Sequence, residues 1–176
     1  MQSDEQLMLE FQKGKTEAFE ELFRRYLRPV YGFFRRRLNN LSRAEDLAQE
    51  TFIVILRGTE RYEKRAMFRT YLYAVALKLL WSERRRELRE VASVPNVEEL
   101  TQSGDAAASV WVRDAFARLD EDHREVLMLR EYEQLTYDEI AELVKIPINT
   151  VRSRLFRARA ELKALLEQQT VKEKSK

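Results

Sequence analysis

The chain has 176 residues, 44 % hydrophobic and 35 % charged, with a net charge of only +2; that is enough apolar content for one ordinary domain or two small ones and too much for a disordered tail. Four glycines and three prolines favour helices over tight turns, no cysteine excludes disulfides and thiolate metal sites, and one histidine excludes a His cluster. The opening residues show no basic and apolar leader, and no apolar run approaches the roughly 18 residues of a membrane span, so the sequence predicts a cytoplasmic protein with no membrane insertion.

The first 90 residues read as helices. Ser3 and Gln6 form a capping-box pattern that opens a first helix. Thr16 precedes a second, in which Phe19, Leu22, Phe23 and Tyr26 recur at helical spacing and Pro29 is expected to bend or restart the helix. A further capping box, Ser42 with Glu45, precedes a helix over about Asp46–Arg57. Its inner face is expected to hold Leu47, Thr51, Val54 and Ile55, leaving Asp46, Gln49, Glu50 and Ile53 pointing away. Polar groups around an exposed Ile suit a protein partner, although a stray exposed Ile on a solvated face is common.

A long helix is predicted from about Phe68 to Arg89, with Phe68, Leu72, Val75 and Leu79 on one face and Thr70, Tyr73, Leu77, Trp81 and Arg84 on the other. Residues 61–90 carry a net +5. Basic charge interleaved with aromatics suits single-stranded DNA, where cations track phosphates and rings stack on bases. For Tyr71 and Tyr73, burial against the first two helices is an equally good reading.

Residues 91–110 change character. They are rich in Ser, Ala and Val, contain Pro95, and hold Glu98, Glu99 and Asp105 against no Lys or Arg, a local charge of −3. They read as a flexible acidic linker. Helical periodicity resumes at Trp111, with Phe116, Leu119, Val126, Leu127 and Leu129 as core. His123 is expected at a helix start as a solvated side chain. Thr136 and Glu139 form a capping box on a short helix, Lys145-Ile-Pro-Ile is a turn, and Asn149 is expected to cap a last helix to about Glu167.

The short helix, tight turn and second helix over residues 136–165 have the proportions of a helix-turn-helix. Residues 120–143 hold nine acidic side chains against two Arg, whereas residues 144–164 hold six Lys or Arg against one Glu. Positive charge therefore gathers on the second helix, where a DNA reader needs it. At 100° per residue, Val151, Leu155, Ala158 and Leu162 share the face toward the core, opposite Asn149, Ser153, Phe156, Arg157 and Ala160. On that outer face Arg and Ser can reach base edges or phosphates, and Phe can contact a thymine methyl or a sugar. The alternative is that Phe156 packs on a neighbouring helix and the arginines are merely solvated.

The string from Arg130 to Arg159, with Leu135-Thr-Tyr-Asp-Glu-Ile-Ala and Asn149-Thr-Val-Arg-Ser-Arg-Leu-Phe-Arg-Ala-Arg at its heart, resembles region four of extracytoplasmic-function sigma factors. Asp46-Leu-Ala-Gln-Glu-Thr-Phe52 and Phe68-Arg-Thr-Tyr-Leu-Tyr-Ala-Val-Ala, followed by Arg84-Arg-Arg, resemble region two of the same family. The two motifs stand in the family's order with a linker between.

The resemblance implies an all-α chain of two small helical domains, residues 1–90 and 111–170, joined by the acidic linker 91–110 and followed by a tail at 171–176. It implies a non-catalytic subunit that needs no cofactor or metal. Its partners are RNA polymerase core, promoter DNA and an anti-sigma protein, and its regulon responds to stress or another signal. Asp46, Gln49, Glu50 and Ile53 would then dock on polymerase. Phe68, Thr70, Tyr71, Tyr73, Lys78, Trp81, Arg84 and Arg85, with the loop over about Gly58–Met67, would engage and open the minus-ten element. Asn149, Arg152, Ser153, Phe156 and Arg157 would read the minus-thirty-five element.

This chain departs from the family's usual Trp, Arg, Arg and Asn at Tyr71, Ala74, Leu77 and Lys78, and from its usual Gly at Lys145 and Asn149. Two other readings compete. A free-standing helix-turn-helix regulator would bind operator DNA without polymerase, but it leaves the Asp46–Phe52 motif unused. An enzyme lacks support, since the chain offers no Gly-rich phosphate loop and no obvious partner for its one His.

Overall fold

The computed structural model describes residues 2–63, 67–91 and 107–174. The chain divides into two compact units, Met1–Thr101 and Gln102–Lys176. Among the described residues there is no β-strand.

The first unit holds α1 (Asp4–Gln12), α2 (Thr16–Arg35), α3 (Leu41–Arg57), a single 3₁₀ turn at Thr59–Arg61, and α4 (Phe68–Val91). Ser3 and Gln6 form the expected capping box on α1. Helix α2 begins at Thr16 itself and runs unbroken through Pro29, contrary to the expected bend. An interior Pro costs a helix about 3 kcal/mol. Leu22, Val30, Phe33 and Phe34 are all fully buried on the same helix, and at about 1.5–3 kcal/mol per large apolar side chain their packing outweighs that penalty.

Helix α3 starts earlier than its motif suggested. Asn40 is the N-cap, its side chain accepting the Arg43 N–H at 2.9 Å, so Ser42 and Glu45 lie inside the helix and form no box. Its buried face is Ala44, Leu47, Ala48, Thr51, Phe52 and Ile55, whereas Val54 is exposed.

Helix α4 packs on α1, α2 and α3. Its buried residues are Phe68, Thr70, Leu72, Tyr73, Ala76, Leu77, Leu80 and Glu83. Tyr73 and Leu77 were expected on the outer face; Tyr73 instead sets its ring 5.6 Å from that of Phe33 on α2. Val75 and Leu79, expected inside, are only partly covered. Glu83, on α4 itself, is buried, 3 % exposed. One of its oxygens accepts from Arg43 at 2.8 Å and the other pairs with Arg86 at 2.8 Å. The pair to Arg43 ties α4 to the first turn of α3 and holds the Glu83 carboxyl below the usual carboxylate range.

The second unit holds α5 (Ala107–Arg118), α6 (Glu121–Glu131), α7 (Tyr137–Val144) and α8 (Ile148–Lys174). Helix α5 takes in residues 107–110 and α4 takes in Val91, so both ends of the expected linker are helical; its middle, 92–106, lies outside the described residues. Asp120 caps α6 through the N–H groups of Asp122 and His123. His123 is largely covered, its Nδ1 lying 3.1 Å from Glu161 on α8, so it is not the solvated side chain that was expected. Ala115, Leu119, Val126, Leu127, Leu129, Leu135 and Ile140 form the core with the inner face of α8.

Candidate promoter and polymerase interfaces

The helix-turn-helix is built by three local devices. Thr136 and Glu139 complete the capping box on α7, the Glu139 carboxylate accepting the Thr136 N–H at 2.7 Å. Lys145 ends α7 in the left-handed region at φ 57°, and its N–H returns to the Ala141 carbonyl. The Pro147 carbonyl then accepts the N–H groups of Thr150 and Val151, which starts α8 one residue before Asn149. Asn149 is therefore a first-turn residue rather than a cap, and its Oδ1 accepts from Arg152 at 3.1 Å. Helix α8 also runs past Glu167, to Lys174.

Val151, Leu155 and Ala158 are buried as the helical wheel required, and Leu162 is partly covered. Asn149, Arg152, Ser153, Phe156 and Arg157 all face outward, with Phe156 76 % exposed. Phe156 therefore packs on no neighbouring helix among the described residues, contrary to that part of the alternative. The arginines of α8 are not equivalent. Arg154 pairs with Asp122 and Arg159 with Glu131 at 2.9 Å, both acids lying on α6. Glu131 and then Tyr137 raise the pKa of Arg159. Arg157 makes no ion pair among the described residues. The sequence reading missed a shallow groove beside this face, lined by Tyr137, Arg152, Phe156, Arg159, Ala160 and Lys163. The signal was present: Arg152, Phe156, Arg159 and Lys163 recur at i, i+4, i+7 and i+11.

In the first unit the outer strip of α4 is Tyr71, Ala74, Lys78, Trp81, Arg85 and Leu88, again at spacings of three and four. Tyr71 and Ala74 are partly covered and the rest exposed, Trp81 at 40 % and Leu88 at 71 %. Arg84 sits on the flank. Phe68, Thr70 and Tyr73, expected at the DNA, are withdrawn from it. Phe68 has no exposed surface and packs against the rings of Tyr26 and Tyr62 at 5.5 and 6.2 Å, so it holds the start of α4 in place. Leu88 was missed because the net charge of this stretch drew the eye to its arginines.

On α3, Asp46, Gln49 and Ile53 are exposed as expected, Ile53 at 47 %. Glu50 is only partly exposed and lies close enough to Arg43 to help raise its pKa. Val54 and Leu56 are also exposed and extend the apolar surface around Ile53. Leu56 stands seven residues after Gln49, on the same face, and was legible at that spacing. Among the described residues no cluster of metal-ligating side chains occurs, and no helix is long and apolar enough to cross a membrane.

Described residues that are helical throughout, with a basic outward face on α8 and a basic and aromatic outer strip on α4, offer surfaces of the kind that meet nucleic acid. Residues 22–90 match the family described as Sigma-70 region 2, and residues 109–162 match Sigma-70, region 4. The chain is 32 % identical over 157 residues to the RNA polymerase sigma factor YlaC of Bacillus subtilis, covering 84 % of this chain and 91 % of that one. It is likewise 32 % identical over 174 residues to the ECF RNA polymerase sigma-E factor of Haemophilus influenzae, covering 89 % and 92 %. In fold it resembles the sigma factor RpoE of Bartonella quintana, solved with the anti-sigma factor NepR, at a TM-score of 0.75 and 24 % identity, over 86 % of this chain and 98 % of that one. It also resembles CnrH, solved with the cytosolic domain of CnrY, at a TM-score of 0.72 and 23 % identity, over 95 % and 99 %. The chain belongs to the ECF family of RNA polymerase sigma factors, and it is a promoter-recognition subunit.

Proposed function

We propose that this sigma factor works in the cytoplasm through three separate surfaces and has no bond chemistry of its own. Residues 1–90 act as the domain that meets polymerase core and the minus-ten element. Residues 111–170 act as the domain for the minus-thirty-five element, and the acidic segment between them runs through the positively charged interior of the polymerase. Asp46, Gln49, Glu50 and Ile53, extended by Leu56, dock on core. Tyr71, Lys78, Trp81, Arg84 and Arg85 engage and open minus-ten DNA, with Trp81 offering a stacking ring beside cations that follow the phosphates. Asn149, Arg152, Ser153, Phe156 and Arg157 enter the major groove upstream. The regulon is responsive to stress or another signal, and an anti-sigma protein holds the chain until that signal arrives; RpoE is solved with the anti-sigma factor NepR, and CnrH with the cytosolic domain of CnrY.

The observation that carries this reading is the outward Phe156, flanked by Ser153 and by Arg157, which makes no ion pair among the described residues, on the second helix of the helix-turn-helix. A solvated helix gains nothing from an exposed aromatic at its centre, whereas a groove-reading helix gains a contact to sugars or thymine methyls. The test is to incubate the chain with core polymerase, measure the complex, and transcribe a promoter library. Selective transcription that depends on both elements is expected. A chain that binds operator-like DNA as well without core as with it would overturn the reading. For the core surface, Ile53→Lys is a cleaner probe than charge reversal at Glu50, which would place a cation against Arg43. Loss of core affinity with an unchanged circular dichroism spectrum is the expected result.

A further inference from the structure

Helix α1 lies outside residues 22–90, yet both of its ends are bonded to the stretch of chain that leads into α4. In its first turn, Glu5 Oε1 accepts the backbone N–H of Phe68, the first residue of α4, at 3.1 Å. At its far end, the last residue, Gln12, donates from Nε2 to the carbonyl of Thr59 at 2.8 Å and to the carbonyl of Tyr62 at 3.0 Å. These bonds span 47, 50 and 63 residues of sequence. They reach backbone groups rather than side chains, so they fix where the chain runs, whatever side chains it carries.

Helix α1 is in turn fastened to α2. Asp4 accepts from Arg25 Nη1 at 2.6 Å and from the Tyr26 hydroxyl, and Leu7 and Met8 are buried beneath it. Tyr62, gripped at its carbonyl, sets its ring 5.4 Å from that of Tyr71, the first residue of the outer strip of α4. Its phenol is pushed up to about 12, first by burial and then by the Glu5 and Asp4 carboxylates. The frame therefore has a fixed side, α1 on α2, and a held side, the 59–62 turn and the start of α4.

We propose that α1 is a positioning element for minus-ten recognition. Gln12 and Glu5 set the backbone of residues 59–62 and the N-terminus of α4, and thereby the placement of the Tyr71–Lys78–Trp81 strip against DNA. The proposal rests on the reading of that strip as the minus-ten surface. A site displaced by a fraction of an ångström loses selectivity before it loses fold, because the groups that read bases must be pre-placed. Glu5 performs at α4 what an N-cap ordinarily does from within its own helix, so the two helices share one terminus.

The test uses the full chain assembled with core polymerase on a library randomised at the minus-ten element with a constant upstream element. Gln12→Glu is nearly isosteric but sets an acceptor against two carbonyls. It is expected to lower open-complex formation and minus-ten discrimination by about 5- to 10-fold, the worth of one or two hydrogen bonds. Core affinity should stay unchanged, and the first unit should remain folded at the assay temperature, its melting point lowered by no more than those bonds are worth. Glu5→Gln, which keeps an acceptor oxygen, is expected to retain most of the selectivity. Trp81→Ala is run alongside. If Trp81→Ala loses minus-ten discrimination and Gln12→Glu does not, α1 has no positioning role and the reading of α4 stands. If neither loses it, the α4 reading itself fails. If Gln12→Glu loses core binding or unfolds the first unit together with selectivity, α1 is only part of the core, and the proposal is overturned.

Discussion

The two helices proposed to meet DNA, one in each unit, are of opposite construction. Helix α8 is buried along one narrow stripe, Val151, Leu155 and Ala158, and Asn149, Ser153, Phe156, Arg157 and Ala160 across from it are all exposed. Helix α4 is covered by three neighbours at once, so Phe68, Thr70, Leu72, Tyr73, Ala76, Leu77, Leu80 and Glu83 all go inside. A helix packed over a wide arc needs apolar residues over a wide arc, and a simple wheel cannot then tell its inner edge from its outer one. An aromatic residue can mark an outward surface only where the helix has surface to spare: Phe156 is 76 % exposed, Tyr73 3 %.

The sharpest way to break this contrast is to compare Tyr73 with Trp81, eight residues on. Tyr73→Ala empties a core position and is expected to destabilise the first unit by about 3–5 kcal/mol. Trp81→Ala, partly exposed, is expected to change stability far less and to reduce minus-ten opening instead. Chemical denaturation of both variants, read on the first unit's own transition, decides it. A Tyr73→Ala variant that keeps its stability but loses minus-ten selectivity would return Tyr73 to the DNA face.

The second prediction concerns how α4 is anchored. Glu83 accepts from two arginines while almost fully buried, and its Gln variant should lose about 1.5–3 kcal/mol, the worth of hydrogen bonds to a charged group. The Glu83 carboxyl is depressed in the folded state, so the proton binds the unfolded chain more tightly. Its contribution is fully present above the ordinary carboxylate range and disappears as pH falls through the depressed value. Wild type should therefore lose stability on acidification more steeply than Glu83→Gln. Parallel acid limbs for the two proteins would mean that Glu83 is not the group that titrates.

On α8 the prediction separates arginines that the sequence could not rank. Arg157→Ala is expected to cost about 1–3 kcal/mol of discrimination at one upstream position. Arg159 is held by Glu131, so Glu131→Gln should release it to a phosphate, tightening binding to all sequences and steepening the salt dependence by about one counterion. Transcription of an upstream-randomised library at two salt concentrations separates the two. Equal, sequence-independent losses from Arg157→Ala and Arg159→Ala would show that α8 only holds the backbone.

Much of this was legible in the chain because it is written locally. The capping boxes at Ser3–Gln6 and Thr136–Glu139, the turn at Lys145 and the stripe on α8 all rest on neighbours within one or two turns. The misreadings share the opposite property. Pro29 stays helical because distant partners bury Leu22, Phe33 and Phe34. Ser42 and Glu45 lost to Asn40, a one-residue N-cap that leaves a weaker pattern. Tyr73, Leu77 and Val54 were assigned to faces by periodicity, while their surroundings are set by helices 20 to 50 residues away. Of the candidate site residues, those on α8 could be placed from sequence, whereas Phe68, Thr70 and Glu50 could not.

The smallest expected effect tests one of two exposed places, Gln134 and Lys145, where a side chain sits at positive φ. Lys145 sits at φ 57°, a region that costs a side chain with a Cβ on the order of 1–2 kcal/mol relative to right-handed helix and that glycine enters freely. The turn keeps the conformation because both following elements need it: the Lys145 and Ile146 N–H groups both bond to the Ala141 carbonyl, and Pro147 two residues on starts α8. Lys145→Gly removes the steric term but widens the unfolded chain's freedom, so the net gain should be about 0.5–1 kcal/mol. The cost falls on charge, since Lys145 lies exposed just before the first turn of α8. The variant should thus be more stable by thermal melting of the second unit, with promoter preference unchanged and salt dependence slightly shallower. A lower melting point would mean that the Lys145 side chain contributes more to the turn than its backbone strain removes.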